Sequence, residues 1–311
     1  MKRRKMMFTL IMAFMLLAGC ESNKVAQSSD ASQSEEVDSE EDLSEETECL
    51  NVLKEGLQAR WDIVNQDSAT VDEVFKNKKD GIDKEISFIS QYADNEFENK
   101  EFGTLIAKYI TALENQKAGV EFWMSDAKKY ETLCNVEGYD VRSECLNQLV
   151  DDYKFAVDEN YNDDLQDVLL GMRSVTISAG ETVTANTELG EIAITINALK
   201  KSDWKERAEE EGDFFIGILE CIIENKSYSD PYNEGYVLLD NFVGVFDMDD
   251  IQKDTYSSSY DYKDFVSAAG GFFELAKGNK VKVAIPYSLS NNTEKVYINI
   301  NNEYDMFLNV K

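Results

Sequence analysis

The chain of 311 residues has 31 basic and 61 acidic side chains, no histidine, and a formal net charge of −30. Such an acidic surface repels nucleic acid, which we therefore exclude as a partner. The lack of histidine excludes Ser-His-Asp and Cys-His catalysis, histidine general bases and zinc sites of the H-E-x-x-H kind.

The N-terminus has the pattern of an export signal. The basic residues 2–5 precede an apolar run, residues 6–18, that is too short to span a bilayer as a helix. The run ends in Leu17-Ala18-Gly19-Cys20, which resembles the lipobox of bacterial lipoproteins. The resemblance implies cleavage between Gly19 and Cys20 and lipidation of Cys20. The alternatives are an ordinary secretory signal and an uncleaved anchor.

Residues 1–19 are therefore predicted to be a signal peptide, and residues 20–45 a lipidated, disordered, acidic tether. Four basic and no acidic residues lie in 1–19, so the mature chain has a net charge of −34. The tether is rich in Ser, Glu and Asp and has no aromatic residue, so it cannot bury enough apolar surface to fold. A calcium-collecting acidic tail is the alternative.

Residues 46–173 are predicted to form an antiparallel helical bundle. They contain no proline, and their apolar residues recur at helical spacing in four or five stripes. Breaks between helices are expected at 65–68, 93–99 and 135–140, and Asp140 is a candidate N-cap.

Residues 174–311 are predicted to form a β-sandwich, because the apolar spacing changes to about two. The run "FFIGILECIIENKS" is apolar on both faces, which indicates a central buried strand. The fold class is therefore α+β and multidomain, with the helices and the strands in separate domains.

The β region resembles the telokin-like, immunoglobulin-related domain found at the end of many Gram-positive surface lipoproteins. The matching positions are Gly180, Glu181, Val183, Glu224-Asn225-Lys226-Ser227, Leu275, Lys277-Gly278, Val281, Val283, Ile285 and Pro286. The family usually has proline where this chain has Lys277. The resemblance covers residues 178–300 and implies an exported domain with no established catalytic residues.

Two loops of the β region have compositions that suggest binding. In "DTYSSSYDYKDF" the rings of Tyr256, Tyr260 and Tyr262 alternate with small polar residues, as in antibody paratopes. The loop "YSDPYNEGY", residues 228–236, is similar in composition. Exposed loops that contact nothing are the alternative.

One acidic turn is a weak candidate for a metal site. Asp247, Asp249 and Asp250 follow a predicted strand, but the turn lacks the glycine and the later glutamate of an EF-hand loop. A solvated acidic turn is the favoured interpretation, and no cofactor is predicted.

Four cysteines remain besides Cys20. Cys134 and Cys145 flank the predicted break at 135–140, so they would face each other on two antiparallel helices and could form a disulfide. The alternative is four free thiols. Cys49 and Cys221 fall in different predicted domains, and Cys221 is expected to be a buried thiol.

These features predict a lipid-anchored protein on the extracytoplasmic face of the cell membrane. We expect a non-catalytic module that binds an unknown envelope protein or glycan. The alternatives are a carboxylate-based envelope hydrolase and a solute-binding protein of a transporter.

The lipobox predicts that Cys20→Ala prevents lipidation, because the lipid is attached to this cysteine. Stable anchoring needs two or more acyl chains, so the variant should lose its hold on the membrane. We expect the variant in the culture medium or as unprocessed precursor when cell fractions are compared by immunoblotting. A variant that stays in the membrane fraction at the mature size would contradict the lipid anchor.

Overall fold

A computed structural model describes residues 44–203, 214–233, 235–248 and 262–311. In these ranges the helices of the first half end at Leu169 and the strands begin at Val175, so the fold is α+β. The predicted signal peptide and nearly all of the tether lie outside the described residues. No helix in the described part combines the length and the apolarity needed to cross a membrane.

Four long helical stretches and one short helix make up the helical region. The first three stretches are α1 Glu45–Val64, α2 Val71–Ile89 and α3 Lys100–Val120. The fourth is continuous and consists of α4 Ala127–Lys129, a π-helix Tyr130–Asp140 and α5 Val141–Tyr153. The short helix is α6 Asn162–Leu169. Ser44, Thr70 and Asn99 cap the first three helices through their side chains. The breaks expected at 65–68 and 93–99 are confirmed.

The break expected at 135–140 is wrong, because the helix continues through it. The residues that suggested a turn have other roles. Gly138 gives room to Gln116, since a Cβ at Gly138 would lie 2.4 Å from Gln116 Cγ. Asp140 binds Arg173 and makes no capping hydrogen bond.

The disulfide predicted between Cys134 and Cys145 does not form. Both residues lie on the same continuous helix, and a helix holds positions this far apart well beyond the Cα separation that a disulfide bridges. Cys49, Cys134, Cys145 and Cys221 are all free and buried.

Eleven strands are described in the β region, in three sheets. Their bounds are β1 Val175–Thr176, β2 Thr182–Thr187, β3 Gly190–Lys201, β4 Phe214–Asn225, β5 Tyr236–Leu238, β6 Val243–Asp247, β7 Val266–Ser267, β8 Phe272–Glu274, β9 Lys280–Ser290, β10 Lys295–Ile300 and β11 Tyr304–Asn309. The strand orders are β2-β3-β4-β9-β7, β1-β11-β10-β6 and β5-β8.

The apolar run that suggested a buried strand is β4, which pairs with β3 on one side and β9 on the other. Side chains of all three sheets contribute to one hydrophobic core, including Leu219 from β4, Ile298 from β10 and Val237 from β5. The prediction of a central strand is confirmed.

The helical region packs directly against the four-stranded sheet, along a surface that we call the seam. Trp123 stacks on Phe75 and meets the ring of Phe307 edge-on at 4.6 Å between centroids. Arg173, which precedes β1, donates two hydrogen bonds of 2.7 Å to Asp140 and one of 2.9 Å to Glu131. The seam therefore combines an aromatic cluster with a bidentate ion pair.

Gly119 is predicted to tolerate no side chain, because a Cβ there would lie 2.2 Å from the backbone nitrogen of Cys134. We expect Gly119→Ala to lower the free energy of unfolding by about 3 kcal/mol, as overpacking does when backbone must move. Gly103→Ala on the same helix is the control, since its nearest contact is Phe97 Cδ2 at 3.3 Å. It should change stability by no more than about 1 kcal/mol. Equal losses in urea unfolding would refute the close approach.

Candidate functional site

The predicted binding residues are only partly described. Tyr256 and Tyr260 lie outside the described residues, as do Gly19 and Cys20. Tyr262 donates its hydroxyl to Glu220 Oε1 at 2.6 Å, and its ring packs edge-on against Phe265. The structure thus gives Tyr262 an internal packing role, and binding by the other two tyrosines stays a prediction.

The first residue of the weak metal candidate is the last residue of β6. Asp247 is buried and accepts hydrogen bonds from the hydroxyl of Thr293 and from the backbone N–H of Ser290. It therefore ties the end of β6 to the turn between β9 and β10. Asp249 and Asp250 lie outside the described residues.

Three aromatic side chains are exposed in the described structure, and they lie on the paired strands β5 and β8 or on the loop that leads into β5. Tyr232 is 92% exposed, Tyr236 40% and Phe272 39%. We call these three residues the aromatic face. Large exposed aromatic groups that cluster mark interaction surfaces more often than scattered ones do.

The pairing of β5 with β8 explains why two of these rings point outward. Side chains alternate along a strand, so Val237 and Phe273 point inward and are buried, while their neighbours Tyr236 and Phe272 face solvent. The two outward rings stack with centroids 4.8 Å apart and planes within 4°. They form one rigid apolar platform.

Hydrogen bonds fix the loop that carries Tyr232. Asp230 accepts from the backbone N–H of Tyr232 at 2.8 Å and from the side chain of Asn233 at 2.9 Å. These bonds, that of Asn233 first, lower the pKa of Asp230, which favours its charged form. Gly235, at φ 83°, turns the chain into β5.

The strands behind the aromatic face are tied to the core. Gly271 has φ 71°, and a Cβ there would lie 2.5 Å from Asp240 Oδ1. The buried amide of Asn225 donates to the backbone oxygens of Tyr228 and Leu275, on the two segments that frame the face. The platform is therefore held on rigid elements, as a recognition surface requires.

A carboxylate lies beside the aromatic face. Glu274 lies directly across from Tyr236 in the register and on the same outer side of the sheet. Its side chain is exposed and makes no hydrogen bond or ion pair within the described ranges. Lys277, three residues further on, is the lysine nearest to it in the sequence.

Two open clefts are further candidates. One of about 430 Å³ lies at the opposite end of β4 and is lined by Lys201, Lys295 and Lys311 with Glu294. The other, of about 490 Å³, is lined mainly by apolar atoms of residues 122–133 and includes Asp126. Each contains one carboxylate side chain, whereas glycoside hydrolysis uses a pair.

A buried ionic network lies inside the helical region. Glu85 is fully buried, and its carboxylate accepts hydrogen bonds from Arg60 Nη1 at 2.7 Å, from Arg142 Nε at 3.1 Å and from the hydroxyl of Tyr109. Burial opposes ionisation, but Arg142 and Arg60 together lower the pKa of Glu85 below its ordinary value. It lines neither of the two clefts above.

Three of the four free thiols are poorly suited to nucleophilic chemistry. Burial raises the pKa of Cys49 to about 12 and that of Cys145 to about 11, and it also raises the pKa of Cys221. Since the thiolate is the reactive form, these cysteines act as small apolar side chains.

Sequence reasoning found part of the aromatic face. The loop at 228–236 was singled out by its composition, and it carries Tyr232 and Tyr236. Phe272 was missed, because in "GGFFEL" nothing distinguishes the outward ring from the inward ring of Phe273. The only available signal was strand alternation, and β8 is three residues long.

No protein-family model matches the chain, and no curated protein matches it. Among solved structures, one described as a "putative lipoprotein" from Staphylococcus aureus is similar over 42% of this chain and 98% of its own, at 10% identity and a TM-score of 0.29. A functionally unknown protein from Listeria monocytogenes is similar over 39% of this chain and 77% of its own, at 11% identity and a TM-score of 0.23. Likeness this weak carries no argument about function.

Asp305, in the seam, is predicted to make stability depend on pH. Burial raises the pKa of this carboxyl to about 7, although Lys78, Tyr297 and Arg173 lower it in part and Glu131 adds to the rise. Its Oδ1 atom is buried without a hydrogen-bond partner. Because the unfolded chain loses this proton near its ordinary pKa of 3.8 and the folded chain near 7, stability falls as pH rises between these values.

Asp305→Asn removes this titration. We expect the variant to exceed the native chain in unfolding free energy by about 2–4 kcal/mol at pH 8, and the gap to vanish towards pH 4. Urea unfolding of both proteins across this range measures the gap, and other titrating groups cancel in the difference. A gap that does not change with pH would show that Asp305 does not titrate as described.

Proposed function

We propose that the protein is a lipid-anchored lipoprotein on the extracytoplasmic face of the cell membrane, with a non-catalytic module that binds a component of the envelope. The lipobox at Leu17-Ala18-Gly19-Cys20 and the acidic stretch 20–45 support the anchor and the tether. The observation that carries the binding role is the aromatic face, which exposes three rings on a rigid support.

We also propose that the two larger sheets form the immunoglobulin-related sandwich that the sequence resemblance implies. They share one core. Positions of the resemblance fall in turns with the required geometry: Gly180 has φ 86° and Gly278 has φ 82°. The N–H of Gly278 bonds to the oxygen of Asn225, which joins two matching segments.

The alternatives make different demands on the structure. A carboxylate-based hydrolase needs two carboxyl groups at a defined separation in a deep cleft. A solute-binding protein is expected to alternate strands and helices in two lobes, whereas this chain places its helices before its strands.

The binding role predicts that Tyr236→Ser with Phe272→Ser weakens retention of the chain, expressed from residue 21, on isolated cell envelopes. Binding would partly bury the two rings, so their loss should cost about 2 kcal/mol of binding, or roughly 30-fold in affinity. Thermal melting should change little, because both rings are exposed.

Val266→Ser is the matched control, since Val266 is an equally exposed apolar residue on β7. It should bind envelopes as the native chain does. Undiminished retention of the double variant, with unchanged melting, would remove the aromatic face as the binding site.

A further inference from the structure

We infer that the aromatic face binds lysine- or arginine-bearing segments of a partner protein, through cation–π contacts with its rings and an ion pair with the neighbouring Glu274. This inference rests on the proposed binding function and names the chemistry of the partner.

The first argument is the exposed π surface. Tyr236 and Phe272 stack on each other and remain 40% and 39% exposed, so part of their π surface stays open to solvent. The face of an aromatic ring carries negative charge density, and an ammonium or guanidinium group placed over it is attracted. The chain already uses this contact elsewhere: Lys201 Nζ lies 4.6 Å from the centroid of the Phe215 ring.

The second argument is the unpaired charge beside the rings. Glu274 lies across from Tyr236 without a partner in the described part of the chain, and Asp230 supports Tyr232. A neutral ligand would desolvate Glu274 without neutralising it. A cation placed over the rings would satisfy both the π surface and the carboxylate.

The third argument is the field of the whole chain. A net charge of −30 attracts basic partners over a distance of about a Debye length and repels anionic polymers. Arginine and aromatic residues are also the groups that dominate binding energy at protein interfaces. Charge complementarity therefore selects a basic protein segment over a neutral glycan.

The test uses the full chain in an uncharged detergent and a short peptide of alternating Lys and Gly, with its lysine-acetylated form as the neutral control. Fluorescence anisotropy of the labelled peptides measures the affinities. We expect the acetylated peptide to bind at least about tenfold more weakly, and the affinity for the basic peptide to fall as salt rises to about 0.15 M.

Three variants separate specific from general attraction. Tyr236→Leu with Phe272→Leu keeps the site apolar but removes the rings, and should weaken peptide binding about tenfold. Glu274→Gln should weaken it several-fold. Glu294→Gln makes the same charge change in the cleft at the other end of β4 and should leave binding unchanged.

Several outcomes would overturn the inference. Equal effects of Glu274→Gln and Glu294→Gln, with the ring variant binding normally, would mean general charge attraction. Equal binding of both peptides, or no binding of either, would exclude cation recognition. Binding of an N-acetylglucosamine oligosaccharide that the ring variant loses would identify a glycan site, and would retain the proposed function while rejecting this partner.

Discussion

Four helical segments meet at the carboxylate of Glu85, and their arrangement depends on it. Arg60 comes from α1, Tyr109 from α3 and Arg142 from α5, and all three contact this single side chain of α2. A charge buried without partners is far more costly than one that is paired and hydrogen-bonded, so only one mutual rotation of the helices satisfies the group. We infer that the network contributes specificity of packing more than net stability.

This constraint extends to the β region through the long helix. The stretch from α4 to α5 carries Arg142 into the network and presents Glu131 and Asp140 to Arg173, just before the first strand. Rings from both regions fill the remaining space along the seam. The β region is thus supported on one side by the helices, and the aromatic face is formed by strands that share its core.

The sequence predicted the elements better than their junctions. Periodicity located the helices and the buried strand β4, because apolar spacing directly reflects which side of an element is buried. It failed at 135–140, where Gly138 and Asp140 looked like turn residues but serve a close helix contact and an ion pair. The resemblance to a lipobox could be recognised because such a signal is local, and the lipid anchor stays a prediction. The aromatic face was readable only in part, because it forms from two segments, near 232–236 and 272, that pairing brings together.

The π-helix Tyr130–Asp140 winds more widely than an α-helix, and this changes which side of the helix each residue faces. Eleven residues make about three turns of an α-helix, so positions that far apart would share one side. Here they do not: Glu131 turns to the seam and Arg142 to the network, while Cys134 packs in the seam cluster and Cys145 in the helical core. Deleting one residue from Tyr130–Asp140 would allow α-helical winding, but it would rotate one end of the stretch relative to the other. Either the residues of the seam or those of the ionic network would then face the wrong neighbour. Among related chains, the length of this stretch should therefore vary less than its composition, and alignments are best anchored on its length.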